Sequence, residues 1–358
     1  MIQVSQNELL SAIKAVKGAV ASRSSSMPIL KHVLIDAQQD SLVLTATDLS
    51  MAIRSTCYAQ TGDDALSLAV PAQILLDLVS GAGDDVTLEQ SGTKLKVASG
   101  THKATIHGIA AEEFPIIPTM ENPMTMKARI LLAAVSRVIF AASTDEYRPI
   151  LSGILFRCED GHLLLGAADG FRLSMETCDV DLPNVTAIIP ACAMNQVVKA
   201  AKNAADIELA LTKSQAFFRA NGVTVITQLL VGIFPDLAQV VPSSCKTRVV
   251  VDTKQLLSAL RLAVFARESN FIVRLNIKHD SMDISSSSAE SGKGLSTIPI
   301  QEIDGPPLEV AFNVNYLTQA ITAAGTEQIA MEFAGDHKPL KLHVDNWVHA
   351  LMPMNLDA

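Results

Sequence analysis

The chain has 358 residues, of which 49% are hydrophobic and only 4% are aromatic, and its net charge is −9. This length suits three domains of ordinary size with aliphatic cores. No apolar run reaches the roughly 18–20 residues of a membrane helix. The first residues also lack the basic and apolar regions of a signal peptide. We therefore expect a cytoplasmic protein without a membrane anchor, and the acidity of the whole chain argues against a simple nucleic-acid-binding protein.

Segments rich in Ala, Val and Leu predict six helices, and β-type sequence with turn residues follows each of them. In the first segment Leu9, Ile13 and Val16 have the spacing of one buried helical stripe. The predicted helices cover residues 7–21, 72–81, 127–143, 191–205, 253–267 and 314–325.

Alternating apolar residues predict strands between these helices. Residues 32–59 contain three such strands, and residues 150–169 form a predicted hairpin with its turn at 159–161. The Ser-rich segment 285–294 predicts a mobile connection between strands. Residues 347–358 are apolar, whereas chain ends are usually polar. We therefore expect this end to dock against the body of the protein or to form part of a partner groove.

The same pattern recurs along the chain. Segments 68–90, 188–211 and 310–333 each contain a β-type lead-in, a helix of about ten residues, a break of small residues and a strand. Pro71 and Pro190 occupy matching places and are 119 residues apart.

A second set of helices alternates with the first. Leu10, Leu132 and Leu257 mark it, with separations of 122 and 125 residues. The repeat is therefore about a third of the chain, and each third holds two half-units. We expect an α+β protein with three repeated domains at residues 1–120, 121–243 and 244–358.

Positive charge is concentrated on the predicted helices. These segments carry a net charge of +8, which leaves −17 for the rest of the chain. One interpretation is that Lys and Arg simply occupy solvated helix faces. The other is that the helices share a surface that faces a polyanion. The helical cations are Lys14, Lys17, Lys127, Arg129, Arg137, Lys199, Lys202, Lys254, Arg261 and Arg267.

The sequence contains no catalytic or cofactor motif of the forms HExxH, GxGxxG, GxxxxGK(S/T) or GxSxG. Asp48 and Asp169 occupy matching places in the repeat, which permits a metal pair but favours a hydrogen-bonded Asx turn at each aspartate. We expect no cofactor, no metal and no enzymatic activity. Five scattered cysteines without a CxxC pair are interpreted as small buried hydrophobic residues: Cys57, Cys158, Cys178, Cys192 and Cys245.

Motifs from one end of the chain to the other resemble the bacterial DNA polymerase III beta subunits, the replicative sliding clamps. Any one of these motifs is weak, but their order and three-domain spacing are specific. They are MPILKHVLI (27–35), LTATDLSMAI (44–53), EEFPIIP (112–118), RPILSGILF (148–156), AADGFRLS (167–174), FPDLAQVVP (234–242), FNVNYL (312–317) and MPMNL (352–356).

The resemblance implies three repeated clamp domains, each with two helices packed on antiparallel sheets. Three such domains form half of a closed ring, which two copies complete head to tail with helices lining the hole. The resemblance also implies DNA-facing cations, namely Arg23, Lys14, Lys17, Arg137, Arg148, Lys199, Lys202, Lys254 and Arg261. At the dimer seam it implies that an edge strand around Ala104 and Ile106 meets Val264 and Phe265 of the other copy.

A groove for short apolar peptides is also implied, between the second and third domains. The groove is expected to be less cationic than is usual in the family, because three positions differ from the common residue types. A histidine is common at the position of Phe171, an arginine at that of Asn355, and a basic residue occurs at that of Gln239. The implied groove residues are Leu151, Gly170, Phe171, Arg172, Leu173, Pro235, Val240, Val241, Asn313, Tyr316, Pro339, Met352, Pro353, Met354 and Leu356.

The function that this resemblance implies is that of a non-catalytic processivity factor. Such a protein encircles double-stranded DNA without reading its sequence and binds the DNA polymerase and the clamp loader through short linear peptides. Two alternatives stay open. One is an α+β enzyme whose site has no recognisable motif. The other is a clamp-like paralogue or scaffold that binds peptides without sliding on DNA, because the second predicted helix has a charge of −1 and the sixth has none.

Overall fold

The computed structural model describes residues 1–22, 25–62, 65–83, 85–145, 147–268 and 270–355. Within them, six α-helices confirm the six helical segments predicted from apolar spacing. Three helices end in a 3-10 turn, so the predicted segments extend past the true α-helical ends. The helices are α1 (Gln6–Val16), α2 (Ala72–Ser80), α3 (Ala128–Val138), α4 (Ala191–Ala200), α5 (Thr253–Leu262) and α6 (Val314–Ala324).

The strands of the described residues are short and follow the alternation of the sequence. They are β1 (Ile2–Ser5), β2 (His32–Gln38), β3 (Ser41–Thr47), β4 (Met51–Tyr58), β5 (Ser67–Pro71), β6 (Asp85–Ser91), β7 (Lys94–Ser99), β8 (His102–His107), β9 (Ile109–Ala110), β10 (Met124–Lys127), β11 (Gly153–Glu159), β12 (His162–Ala168), β13 (Arg172–Asp179), β14 (Val185–Pro190), β15 (Asp206–Leu211), β16 (Gln215–Ala220), β17 (Val223–Gln228), β18 (Thr247–Asp252), β19 (Ile272–Ile277), β20 (Ser281–Ser288), β21 (Gly292–Pro299), β22 (Glu302–Asp304), β23 (Leu308–Asn313), β24 (Gln328–Phe333), β25 (Leu340–Val344) and β26 (Trp347–Leu351).

The chain divides into two compact units. The first unit contains residues 1–129 and 192–229, and the second contains residues 130–191 and 230–358. In the first unit α1 packs against α2 and β4, and in the second α5 packs against α6. Helices on antiparallel sheets confirm the α+β class. In the part of the chain that the structure describes, no helix is long and apolar enough to cross a membrane.

Each unit contains one four-stranded and one nine-stranded antiparallel sheet. In the first unit the strand orders are β1-β6-β7-β8 and β10-β15-β16-β17-β4-β3-β2-β5-β9. In the second they are β21-β20-β19-β23 and β14-β11-β12-β13-β26-β25-β24-β18-β22.

Both nine-stranded sheets are continuous because one central strand pair joins segments that are far apart in sequence. In the first unit β17 pairs with β4, from Val223 opposite Ser55 to Thr227 opposite Met51. In the second unit β13 pairs with β26, and there Leu173 lies opposite Ala350. These two pairs are called the sheet joints below.

Trp347 anchors the core of the second unit. It is fully buried, and its indole Nε1 donates hydrogen bonds to the Arg137 carbonyl and to Ser174 Oγ, each at 2.8 Å. Ser174 Oγ donates to the same carbonyl at 2.6 Å. Since Arg137 lies at the end of α3, these bonds tie that helix end to both strands of the sheet joint.

His349 lies beside Trp347 and is also fully buried. Its ring stacks on Phe140 and Trp347, with centroid distances of 5.4 and 5.7 Å. Burial, and secondarily the charge of Arg172, lower the pKa of the imidazole to about 3. Within the described residues neither ring nitrogen has a hydrogen-bond partner. The neutral imidazole therefore packs in the core as an aromatic ring between Phe140 and Trp347.

Two sequence-based interpretations are only partly right. The Ser-rich segment does connect two strands through residues 289–291, but the rest of it lies in the strands themselves, where Ser286 pairs with Gly294 and Ser288 with Gly292 in the β20–β21 ladder. Backbone pairing there outweighs the turn preference of serine. Cys57 and Cys158 are buried as expected, but Cys192 and Cys245 are exposed. The expected docking of the chain end is confirmed, since β26 lies inside a sheet and Met354 N donates to Ala311 O at 2.8 Å.

We expect Trp347→Phe to lower the free energy of unfolding by about 2–3 kcal/mol, because it opens a cavity and removes the indole donor. Urea unfolding followed by far-ultraviolet circular dichroism measures the change. The control is His343→Ala on the exposed side of β25, which should change stability by less than about 0.5 kcal/mol. Equal midpoints for the two variants would contradict the assigned role of Trp347.

Candidate functional site

Four lysines converge on one concave surface of the first unit. Lys14 and Lys17 come from α1 and the 3-10 turn after it, Lys199 comes from the last turn of α4, and Lys202 comes from the turn that follows α4. They line a depression of about 450 Å³, called the lysine depression below. The sequence predicts each of these lysines to face DNA, and the structure brings all four together.

Small and polar residues hold the two helices of the lysine depression close. A Cβ atom at Gly18 would lie 2.5 Å from the end of the Gln196 side chain on α4, so the glycine lets this side chain pack against the 3-10 turn after α1. Asn221 Nδ2 donates to the carbonyls of Ala200 and Lys202, each at 3.0 Å, and closes the end of α4. The lysines are thus carried by packed helices.

The electrostatics of the lysine depression favour a polyanion. All four lysines are exposed, and its described lining contains no acidic residue. None of the four forms an ion pair with another described residue. Lysine is a flexible point charge that binds phosphate without a fixed geometry. Such a surface can attract a phosphate backbone without reading bases.

The other predicted DNA-facing residues have different surroundings. Lys254 and Arg261 are exposed on α5 of the second unit, and their seven-residue spacing places them on one helix face. Arg137 is instead half-buried, and its Nη1 donates to both carboxylate oxygens of Glu176 at 3.3 Å. Burial raises the pKa of the Glu176 carboxyl, although Arg137 opposes this shift. Arg23 lies outside the described residues.

A sharp loop in the second unit precedes β13 and shapes the predicted groove. Asp169 Oδ1 accepts hydrogen bonds from Phe171 N at 2.9 Å and Arg172 N at 3.0 Å, and Gly170 has φ of 94°. Asp48 forms the same turn in the first unit, accepting from Ser50 N and Met51 N. The Asx-turn interpretation of both aspartates is therefore confirmed.

Arg172 fixes this loop to the helices beside it. Its side chain is almost fully buried, and its Nε donates to Asp169 Oδ2 at 2.9 Å. The two terminal nitrogens donate to Gln319 Oε1 and to the Phe140 carbonyl, each at 2.5 Å. The guanidinium also lies 3.9 Å from the centroid of the Tyr316 ring. These donors are used within the protein, so Arg172 holds the Asp169–Arg172 loop in place.

A small apolar cluster lies at the sheet joint of the second unit, and it contains two residues of the predicted groove; it is called the floor cluster below. Its buried members are Leu173, Leu237 and Ala350. Ala168, Met175, Phe234 and Val241 pack against them. The sequence predicts Leu173 and Val241 but misses the others. The FPDLAQVVP motif contained the signal for Phe234 and Leu237, whereas Met175 and Ala350 join the cluster only through strand pairing.

Three predicted groove residues form an exposed apolar rim. They are Phe171, Val240 and Met352, with exposed fractions of 58%, 50% and 40%. The backbone connects two of them, since Met352 N donates to Phe171 O at 2.8 Å. Apolar side chains held open by fixed backbone suit an extended peptide.

The remaining predicted groove residues differ in their hydrogen bonds and in their exposure. Asn313 uses its side-chain oxygen to cap α6, accepting from Asn315 N and Tyr316 N. Arg148, predicted to face DNA, lies beside the Asp169–Arg172 loop, where its Nη1 donates to the Asp169 carbonyl at 3.2 Å. Pro235 is exposed, whereas Leu151, Pro339, Pro353 and Met354 are half-buried, and Leu356 lies outside the described residues.

The predicted dimer residues lie on or beside two sheet edges, and their contact between copies stays a prediction. Ala104 and Ile106 lie on β8, which is an edge strand, but the Ile106 side chain is 3% exposed and packs into its own core. Val264 and Phe265 lie in a 3-10 helix and cannot add a strand themselves. In the four-stranded sheet of the second unit, β21 is an edge strand. Gly294 of β21 is close to the Phe265 ring.

Three family models match the chain in succession. They describe the N-terminal, central and C-terminal domains of the DNA polymerase III beta subunit, and they match residues 1–118, 125–236 and 238–355.

Curated relatives and solved structures agree. A beta sliding clamp of Synechococcus elongatus is 31% identical, covering 94% of this chain and 93% of the relative, and that of Bacillus subtilis is 28% identical, covering 96% and 95%. The crystal structure of the Bacillus subtilis sliding clamp superposes with a TM-score of 0.92 at 26% identity, covering 99% of this chain and 98% of that one. The Thermotoga maritima beta subunit superposes with a TM-score of 0.90 at 25% identity, covering 99% and 100%. This chain belongs to the DNA polymerase III beta subunit family, the beta sliding clamps.

Proposed function

We propose that two copies of this protein join head to tail into a ring around double-stranded DNA. The ring acts as a non-catalytic sliding clamp that tethers DNA polymerase III and other partners to the template. The lysine depression is the observation that carries this proposal, because four free cations from two packed helices face one surface without an acidic neighbour.

The physics of sliding suits these lysines. Contacts to phosphates give affinity that is independent of base sequence and falls as salt rises. A closed ring supplies retention by topology, so each contact can stay weak and exchange rapidly. The acidic remainder of the chain disfavours DNA binding elsewhere on the surface. A cytoplasmic location and domain bounds of 1–120, 121–243 and 244–358 complete the proposal, and the order of the family matches supports these bounds.

The partner site in this proposal is the groove beside the Asp169–Arg172 loop. The polymerase and the clamp loader insert short apolar peptides over Leu173 and Val241, between the rim residues Phe171, Val240 and Met352. The rigid support that Arg172 gives to the loop favours this role, since a fixed groove lowers the ordering cost of binding.

Subunit contact in this proposal uses the open edges β8 and β21. An edge strand exposes unpaired backbone groups that another chain can complete. The 3-10 helix with Val264 lies beside β21, and Val264 is 49% exposed.

A peptide-binding paralogue that does not slide on DNA is the competing hypothesis. The Arg137–Glu176 ion pair favours it, because it neutralises one of the predicted DNA-facing cations. Retention on closed circular DNA that is lost when the circle is cut supports the clamp and contradicts this alternative.

Replacing Lys14, Lys17, Lys199 and Lys202 with Gln should weaken retention on circular DNA without unfolding the protein. The slope of log affinity against log salt should fall by up to about 0.9 for each phosphate contact removed. The measurement is clamp dissociation across about 50–200 mM salt. The matched control replaces four exposed lysines outside the depression, Lys94, Lys213, Lys246 and Lys338. A similar loss in both variants would show that only net charge matters.

Deleting residues 352–358 should abolish peptide binding while the ring persists, because it removes the Met352 rim and its bond to Phe171 O. Fluorescence polarisation with a labelled polymerase peptide and solution mass measure the two properties. Deletion of residues 357 and 358 alone serves as the control. Normal peptide binding by the longer deletion would refute the groove assignment.

The protein should have a solution mass of twice the 38.1 kDa of the chain. Val264→Glu should shift it to monomer, because a charge would be buried at the seam without a partner. Ile116→Glu is the control, since Ile116 is 98% exposed and lies beside β2, β3 and β4 of the nine-stranded sheet, which contains neither β8 nor β21. A dimer that persists in Val264→Glu would place the seam elsewhere.

A further inference from the structure

Three apolar side chains of the second unit are almost completely exposed. Tyr147 is 95% exposed, Val231 is 92% and Ile233 is 93%. Among the described large hydrophobic residues, only Ile116 of the first unit, at 98%, is as exposed. Single exposed apolar residues are ordinary, but a cluster of them marks a binding surface. The position of these three relative to the groove is therefore informative.

The segment from Val231 to Ile233 leads directly into the groove. Ile233 is followed by Phe234, which packs against the floor cluster around Leu173. Gly232 lies against Ile150, the residue before Leu151, so closely that a Cβ atom there would be 2.4 Å from Ile150 Cδ1. Val231 and Ile233 are therefore chain neighbours of residues that contact the floor cluster and Ile150.

Two backbone features constrain this segment, whose side chains at Val231 and Ile233 are exposed. Leu230 N donates to Ile188 O at 2.9 Å, which holds the start of the segment on β14. Gly232 has φ of 154°, a conformation that residues with a Cβ atom rarely adopt. Val231 and Ile233 are thus held outward on either side of an anchored glycine.

Tyr147 reaches the groove from a second loop. Its amide donates to Asp145 Oδ1 at 2.9 Å, and the next residue, Arg148, donates to the Asp169 carbonyl. The Arg148 guanidinium fills the space above Gly170, where a Cβ atom would lie 2.3 Å from Nη1. Tyr147 is therefore anchored beside the loop that carries the rim residue Phe171.

We propose that Tyr147, Val231 and Ile233 form an apolar annex to the peptide groove. The annex binds an aliphatic or aromatic residue that flanks the core of the same extended partner peptide. This inference rests on the proposed function of the groove. Continuity supports it, because Phe234 connects the annex to the groove floor and Arg148 connects it to the rim loop. Partners with an apolar flank would then bind this clamp more tightly than partners with a polar flank.

The test compares two labelled synthetic peptides by fluorescence polarisation on the full-length protein. One has five residues with leucine and phenylalanine anchors for the groove. The other has the same core lengthened by three residues at each end, with leucine and tryptophan in the flanks. The wild-type protein should bind the longer peptide about tenfold more tightly, which equals about 1.4 kcal/mol. A third peptide with serine flanks should bind like the short one.

Variants of the protein test whether the annex causes the tenfold gain in affinity for the longer peptide. Val231→Ser with Ile233→Ser should abolish the tenfold gain and leave the short-peptide affinity unchanged. Ile116→Ser, an equally exposed residue of the first unit, should retain the gain. Equal affinities of the wild-type protein for short and long peptides, or a gain that survives in the double variant, would overturn the annex alone. No binding of the short peptide would overturn the groove as well. A change of solution mass in the double variant would assign the patch to subunit contact and overturn the proposal.

Discussion

The pairing of backbone groups at the two sheet joints is the constraint on which the rest of the structure depends. Unpaired backbone groups at a strand edge destabilise the protein when they are buried. When they are exposed, they can pair with another chain and cause aggregation. The pairing of β13 with β26 removes two such edges and also places the residues of the proposed groove. The Asp169–Arg172 loop enters β13 and Met352 leaves β26, so the hydrogen bond from Met352 N to Phe171 O connects both sides of the rim.

Cations have two distinct roles in this chain, and burial separates them. Arg172 and Arg137 are covered by protein and use their donors on Asp169, Gln319, Phe140 and Glu176. A buried charge requires such partners. The four lysines of the depression are exposed and keep their charge available to an external anion. The two arginines therefore hold protein segments in place, whereas the four lysines can attract an anion.

Local periodicity predicts much of this fold, whereas contacts between distant segments do not follow from it. Apolar spacing locates α1 to α6, and the repeat places Asp48 and Asp169 in equivalent turns. The ion pair of Arg137 with Glu176 is not predictable, because β13 meets the end of α3 only after folding. The pairing of Ser286 with Gly294 is local, and it is missed because backbone pairing in the β20–β21 hairpin outweighs the turn preference of serine. Groove residues taken from motif resemblance include Leu173, but Ala350 enters the floor through strand register alone.

The sheet joints also limit how such a chain can be rearranged. β4 lies in the segment matched by the N-terminal family model, yet its partner β17 lies in the segment matched by the central one. β13 and β26 cross the next boundary in the same way. A fragment that ends at the boundary between two of these matches would expose an unpaired strand edge and tend to aggregate. Recombination between clamps would therefore preserve solubility best when both strands of a joint are exchanged together.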